Sequence, residues 1–167
     1  MFEVGGKVLY GIHGVCAVVA VERMSFGKKK ALYYALEPLA QPGARYYVPV
    51  ESEAAVAKMR PIMTREQIFR LLHSEEVRRD AWIADENQRK QRYRELLSGD
   101  DRAALMCMMH TLYLHKQNQL AVGRKFHLCD ENFLHDAQRV LHTEFALVMD
   151  LEADQVGPFI RQQMGIE

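Results

Sequence analysis

The sequence predicts an α+β chain, with a small, strongly bent N-terminal β-sheet or barrel followed by an all-α helical bundle domain. Three observations point there. Short stretches rich in β-branched and aromatic residues fill the first 50 positions. Turn residues separate these stretches at close spacing. From about Glu51 onward the apolar pattern changes to the helical period, with capping signals and broad apolar faces. That change sets the expected division into residues 1–58 and 59–167.

The β elements come first. Val15–Val21, Leu32–Leu36 and Tyr46–Val50 read as strands. Gly11–Gly14, Phe26-Gly27-Lys28 and Gln41-Pro42-Gly43 read as the turns around them. Tyr33-Tyr34 and Tyr46-Tyr47 should each place one ring inward and one outward, because strand side chains alternate between faces. Lys28-Lys29-Lys30 reads as a solvated hairpin tip. A β module of about 60 residues is marginal by itself.

The helices follow. Glu51–Lys58 is a short candidate that Pro61 interrupts. Thr64 with Gln67 forms a capping-box pattern that opens Ile68-Phe69-Arg70-Leu71-Leu72. Residues 75–97 contain no Gly or Pro and read as one long polar helix. Gly99 suits its end, and Asp100 or Asp101 suits the next N-cap. Leu105, Met106, Met108, Met109, Leu112, Tyr113 and Leu120 give the following helix a broad apolar face, and Gly123 closes it. Asp130-Glu131-Asn132 opens a further helix, and a last one spans roughly Ala153–Gln163 with Pro158 near its first turn.

Charge and composition narrow the function. Net charge is zero, which argues against a general nucleic-acid coat. The balance is local: six Lys/Arg against three acids in residues 1–50, and five against eight from Ala103 onward. No apolar run approaches the roughly 20 residues of a membrane span. The N-terminus lacks the pattern of a signal peptide, so the expected location is the cytoplasm. Cys16, Cys107 and Cys129 are odd in number and widely spaced, which does not suggest a disulfide framework.

Trp82, the single tryptophan, is the most conspicuous candidate. On a helix its neighbours would be Arg78, Arg79, Asp85 and Glu86, none of them apolar. Positions 78, 82, 85, 89 and 92 would share a face that shows three arginines and one large ring. With Arg79 and Arg94 nearby, that face suits phosphates and an unpaired base. The bland alternatives are an indole covered by another segment and a solvated helix with internal ion pairs. A phosphate-binding glycine loop, a nucleophile elbow and a paired-histidine zinc motif are all missing, so the chain is expected to be no enzyme and to use no cofactor. Cys107, His110, His115, His127 and Cys129 cluster in the sequence, but their spacing matches no zinc-finger pattern, so no metal is expected.

A resemblance adds to this reading. Residues 2–15, FEVGGKVLYGIHGV, resemble the opening of the CarD/CdnL transcription regulators, a module shared with the transcription-repair coupling factor. Tyr47-Val48-Pro49-Val50 resembles that module's last strand. Arg92-Tyr93-Arg94 with Ser98-Gly99-Asp100 resembles the family's basic helix, and Ala137–Leu147 its closing helix. The resemblance implies a Tudor-like β domain that docks on the β subunit of RNA polymerase. It also implies a helical domain that touches promoter DNA from the minor groove, at the upstream edge of the melted bubble. Trp82 would prop the opened strands, with Arg78, Arg79, Arg89, Arg92 and Arg94 as the DNA-facing set. Polymerase contacts would fall on Arg23, Arg45, Tyr46, Tyr47, Val48 and Pro49. Two departures stand out: Ile83–Gln91 separate Trp82 from the Arg-Tyr-Arg run, and Tyr47 occupies a position where an arginine is expected. The expected function is a regulator that stabilises the open promoter complex. The alternative is a polymerase adaptor that makes no DNA contact. A monomer is expected, with exchange of the β module between two copies as the alternative.

Overall fold

The computed structural model of this chain describes residues 1–166. The chain divides into two compact units, Met1–Ile62 and the residues from Met63 onward.

The first unit is an antiparallel five-stranded sheet in the order β4-β3-β2-β1-β5. Its strands are β1 (Lys7–Tyr10), β2 (Val15–Phe26), β3 (Lys29–Pro38), β4 (Tyr46–Pro49) and β5 (Met59–Pro61). β2 and β3 form a long hairpin in which Phe26 faces Lys29 across Gly27-Lys28. Gly27 has φ 72°, a conformation that a two-residue hairpin turn requires and glycine adopts without steric cost. Lys28 is therefore the tip, whereas Lys29 and Lys30 belong to β3. A register shift between Val18 and Ala20 marks an irregularity in β2, a device that bends a strand. The apolar sides of the strands close over Val8, Cys16, Val18, Tyr34, Leu36, Val48 and Met59. Of the tyrosine pairs, Tyr34 is buried and Tyr47 exposed, the alternation a pleated strand imposes. A short helix α1 (Glu53–Val56) begins at Ser52, whose side chain accepts from Ala55 N. The units part at Ile62 rather than at Lys58. Met59 brings an apolar side chain into the sheet core, and β5 pairs with β1 as an edge strand that tolerates Pro61.

The second unit is helical: α2 (Arg65–Leu72), α3 (Glu86–Ser98), α4 (Arg102–Ala121), α5 (Leu128–Met149) and α6 (Ala153–Met164). Thr64 and Gln67 form the reciprocal capping box that starts α2. Asp101 caps α4 by accepting from Ala104 N. α4 packs on α5 and α5 on α6, and α3 touches both α4 and α5. Met106, Met108, Leu112, Leu141 and Phe145 form the centre of this bundle. Glu144 is wholly buried there. Its carboxylate accepts from Arg102 Nε at 3.1 Å, from Arg102 Nη2 at 2.7 Å and from Met63 N at 2.9 Å, so its charge is fully compensated. α5 ends at Asp150, a left-handed residue with φ 55°. No described helix is long and apolar enough to cross a membrane.

The single long helix expected over residues 75–97 is not formed. Its N-terminal half is a 3-10 turn, Glu76–Arg78, followed by an extended segment from Arg79 to Asp85, and α3 starts only at Glu86. Two aspartates divide it. Asp80 Oδ1 accepts from Trp82 N at 3.2 Å, a local bond that competes with helix, and Asp85 Oδ1 accepts from Gln88 N at 2.9 Å as the N-cap of α3. The shared face of positions 78, 82, 85, 89 and 92 therefore does not exist.

Candidate functional site

Trp82 lies in the middle of the extended segment 79–85, half-buried. α4 anchors the front of this segment. Thr111 Oγ1 accepts from Ala81 N at 3.1 Å and donates to Arg79 O at 3.3 Å, and Cys107 Sγ donates to the same carbonyl. The end of the segment is held by Arg89. Its Nη1 donates to Ile83 O at 2.9 Å and to Ala84 O at 3.4 Å. The other edge of the guanidinium pairs in a fork with Asp130 on α5, Nε to Oδ1 at 3.0 Å and Nη2 to Oδ2 at 3.1 Å. Arg89 is 6% exposed and Asp130 1%, so this is a buried ion pair with its hydrogen bonds satisfied.

The indole rests on that frame. His115 of α4 stacks on it, with centroids 3.6 Å apart and planes 12° from parallel. The Arg89 guanidinium carbon lies 4.3 Å from the ring centroid. A cation over an indole in a partly desolvated place is worth about 1–2 kcal/mol. His115 also meets Phe126 at 6.1 Å and Gln119 Nε2 at 3.2 Å. Burial pushes the His115 imidazole below its ordinary pKa; Asp130 pulls against it, and Arg89 adds a smaller push in the same direction as burial. A neutral imidazole is the form that stacks on indole beside a guanidinium without charge repulsion.

The remaining arginines part company. Arg78 is exposed but tied to two helix ends: Nη1 donates to Met164 O of α6, and Nη2 to Leu72 O of α2 at 3.5 Å. Arg79 is exposed, although its carbonyl is held by α4. In the Arg92-Tyr93-Arg94 run the tyrosine points into the core and both arginines face solvent. Arg92 makes an exposed ion pair with Glu95 at 3.7 Å. Of the six residues expected to face DNA, Trp82, Arg79, Arg92 and Arg94 are outward, Arg78 is partly engaged, and Arg89 is a strut consumed within the fold. Thr111, His115 and Asp130, which orient Trp82, were not singled out as its supports, because each lies more than 25 residues away in sequence.

The Cys/His cluster does not assemble. Cys107 bonds Arg79 O and His115 stacks on Trp82. Among the described residues no group of three His, Cys, Asp or Glu side chains is arranged to hold a metal ion.

In the first unit, Tyr46–Pro49 form β4, the edge strand next to β3. Val48 points into the core and contributes backbone only, whereas Tyr47 points out. Tyr46 stacks on His13 with centroids 3.9 Å apart. Phe26, Tyr33 and Tyr47 form an aromatic chain with steps of 5.0 and 5.9 Å. Arg45 pairs with Glu37 at 3.4 Å, and Arg23 is exposed on β2. An edge strand flanked by aromatic rings and arginine has the composition of a protein-binding surface.

Residues 2–63 match the family described as the CarD-like/TRCF RID domain. The first unit is a CarD-like/TRCF RID domain. The match begins at Phe2 and ends one residue past Ile62, so the RID domain and the β unit coincide. It is a class of RNA polymerase β-interacting domain. No curated protein matches the chain.

Proposed function

We propose that this chain is a non-enzymatic, cytoplasmic transcription regulator that docks on the polymerase β subunit through the RID domain and stabilises the open promoter complex through the helical unit. The observation that carries the polymerase half is the RID match over residues 2–63. The edge strand β4, which carries Tyr46 and Tyr47 and directly follows Arg45, offers the unpaired backbone that strand addition uses, while Arg23 lies across β3 on β2. The DNA half rests on the anchoring of Trp82. A half-exposed indole in an extended segment, tied at both ends by buried partners, is suited to wedge against an unstacked base. Arg79, Arg92 and Arg94 would hold phosphates, whereas Arg89 would not. Tighter binding to the open state than to the closed one is sufficient to lengthen its life.

The test is the lifetime of open complexes formed with purified polymerase under competitor challenge. Base stacking on an aromatic side chain is worth ~1–3 kcal/mol, so Trp82→Ala should shorten the lifetime about 5- to 150-fold with polymerase binding retained. An unchanged lifetime with intact binding leaves the adaptor reading, a polymerase partner that makes no DNA contact.

A further inference from the structure

A pocket between α4, α5 and α6 lies apart from the Trp82 site and has about 90 Å³ of free space. At ~10–15 Å³ per water-sized group, that is room for roughly six to nine heavy atoms. Met106, Met109 and Met164 line it, and methionine adapts its shape to small apolar bodies. His110, His142 and Arg161 line it too, and no carboxylate does among the described residues. Nor does any described residue give the side chains of these three a hydrogen bond or an ion pair. Three nitrogen donors converging on an apolar bed without an acid form an incomplete set.

Gly157 supplies a second observation. It lies inside α6 and lines the same pocket, at a helical position where glycine is less favourable than alanine. A Cβ there would come within 3.3 Å of Arg161 Nη1. The guanidinium thus lies close against the space the glycine leaves, and an alanine there would have to press it aside by a few tenths of an ångström.

We propose that this pocket binds a small aliphatic carboxylate, with its head group on Arg161 and the two histidines and its short tail against the methionines. A planar carboxylate matches the guanidinium fork. Burial lowers the pKa of both histidines; Arg78 lowers that of His110 further while Asp80 opposes, and Arg161 lowers that of His142 further. An anion reverses this repulsion, so binding should take up protons and tighten as pH falls.

The probe is butyrate, titrated into the full-length chain while the methionine ε-methyl signals are followed by NMR. Saturable shifts at Met106, Met109 and Met164, tighter at pH 6 than at pH 8, are expected. Arg161→Gln should weaken binding at least tenfold. Gly157→Ala, which suits a helix better than glycine does, should weaken it while leaving the fold intact. 1-Butanol should bind at least tenfold more weakly than butyrate. No saturable shift with butyrate, equal affinity for butanol, or unchanged affinity in both variants would overturn the proposal. Inorganic phosphate binding as well as butyrate would also overturn it, because the tail would then contribute nothing.

Discussion

Asp130→Ala is the sharpest test of how the Trp82 segment is held. The substitution removes both charge-assisted bonds to Arg89 and leaves a guanidinium that is 6% exposed with only the carbonyls of Ile83 and Ala84. Removing one partner of a buried pair costs about 3–5 kcal/mol, because the remaining charge is left uncompensated. With a urea m-value of ~2 kcal/mol/M, the midpoint of the second unit should fall by ~1.5–2.5 M. The assay is equilibrium unfolding followed by intrinsic fluorescence. Trp82 is the only tryptophan, so its emission reports this unit and this segment. A red-shifted native spectrum should accompany the loss, since Arg89 orients the frame under the indole. The double variant Arg89→Met with Asp130→Leu removes both charges and should regain at least ~2 kcal/mol of the loss. A cost below ~1 kcal/mol for Asp130→Ala, with native emission unchanged, would refute the strut and return Arg89 to the residues available for DNA.

Other outcomes follow from single contacts. Tyr93 is buried and its hydroxyl has no hydrogen-bond partner among the described residues, so Tyr93→Phe should be neutral or stabilising by up to ~1 kcal/mol in urea unfolding. His110, His115 and His142 are each held below the ordinary value of 6.5, in every case by burial first. The unfolded chain therefore binds more protons between the lowered values and 6.5. The stability these groups confer is full above 6.5 and is lost as pH falls through that window, so the urea midpoint should be lower at pH 6.0 than at pH 7.5. Protonated imidazole quenches indole emission, so Trp82 fluorescence should dim over the same fall in pH in the native chain and stay constant in His115→Gln. Asp150→Gly should stabilise the second unit by about 0.5–1 kcal/mol, because glycine adopts the left-handed conformation there more readily.

Much of the architecture was legible because its signals are local. The β-branched runs, the Gly27 turn and the Thr64/Gln67 capping box each depend on a few adjacent residues, and each forms where its chemistry places it. β5 was missed because three residues around a proline carry no strand signature; only pairing with β1 and the Met59 contact make them one. The long helix over 75–97 failed for a related reason. Absence of Gly and Pro permits a helix to continue but does not compel it, and Asp80 and Asp85 supply side-chain acceptors that interrupt and restart it. Asp85 with Gln88 was the available signal. The partners of Trp82 were not legible at all, since Thr111, His115 and Asp130 reach it only through the packing of α3 and α4 against each other and against α5.

The frame around Trp82 also bears on how strongly such a chain can hold DNA. An indole stacked on His115 and faced by Arg89 already has aromatic and cation partners, worth about 0.5–1.5 and 1–2 kcal/mol respectively. A base that displaces His115 from the ring gains only the difference between two stacks, whereas one that meets the exposed part of the indole gains its stack without that cost. Either way the net gain is a few kcal/mol, corresponding to affinity weaker than micromolar from this contact alone. Four outward basic or aromatic residues on a chain of zero net charge add little steering. Attachment to polymerase through the RID domain changes the arithmetic, because a tethered contact acts at an effective concentration that reaches millimolar for short flexible linkers. Weak DNA affinity in isolation is therefore what this reading requires. On the proposed function, a binding step in the RID domain that selects the polymerase, followed by a modest Trp82 contact that selects the open state, would confine the effect to promoters that polymerase has already engaged.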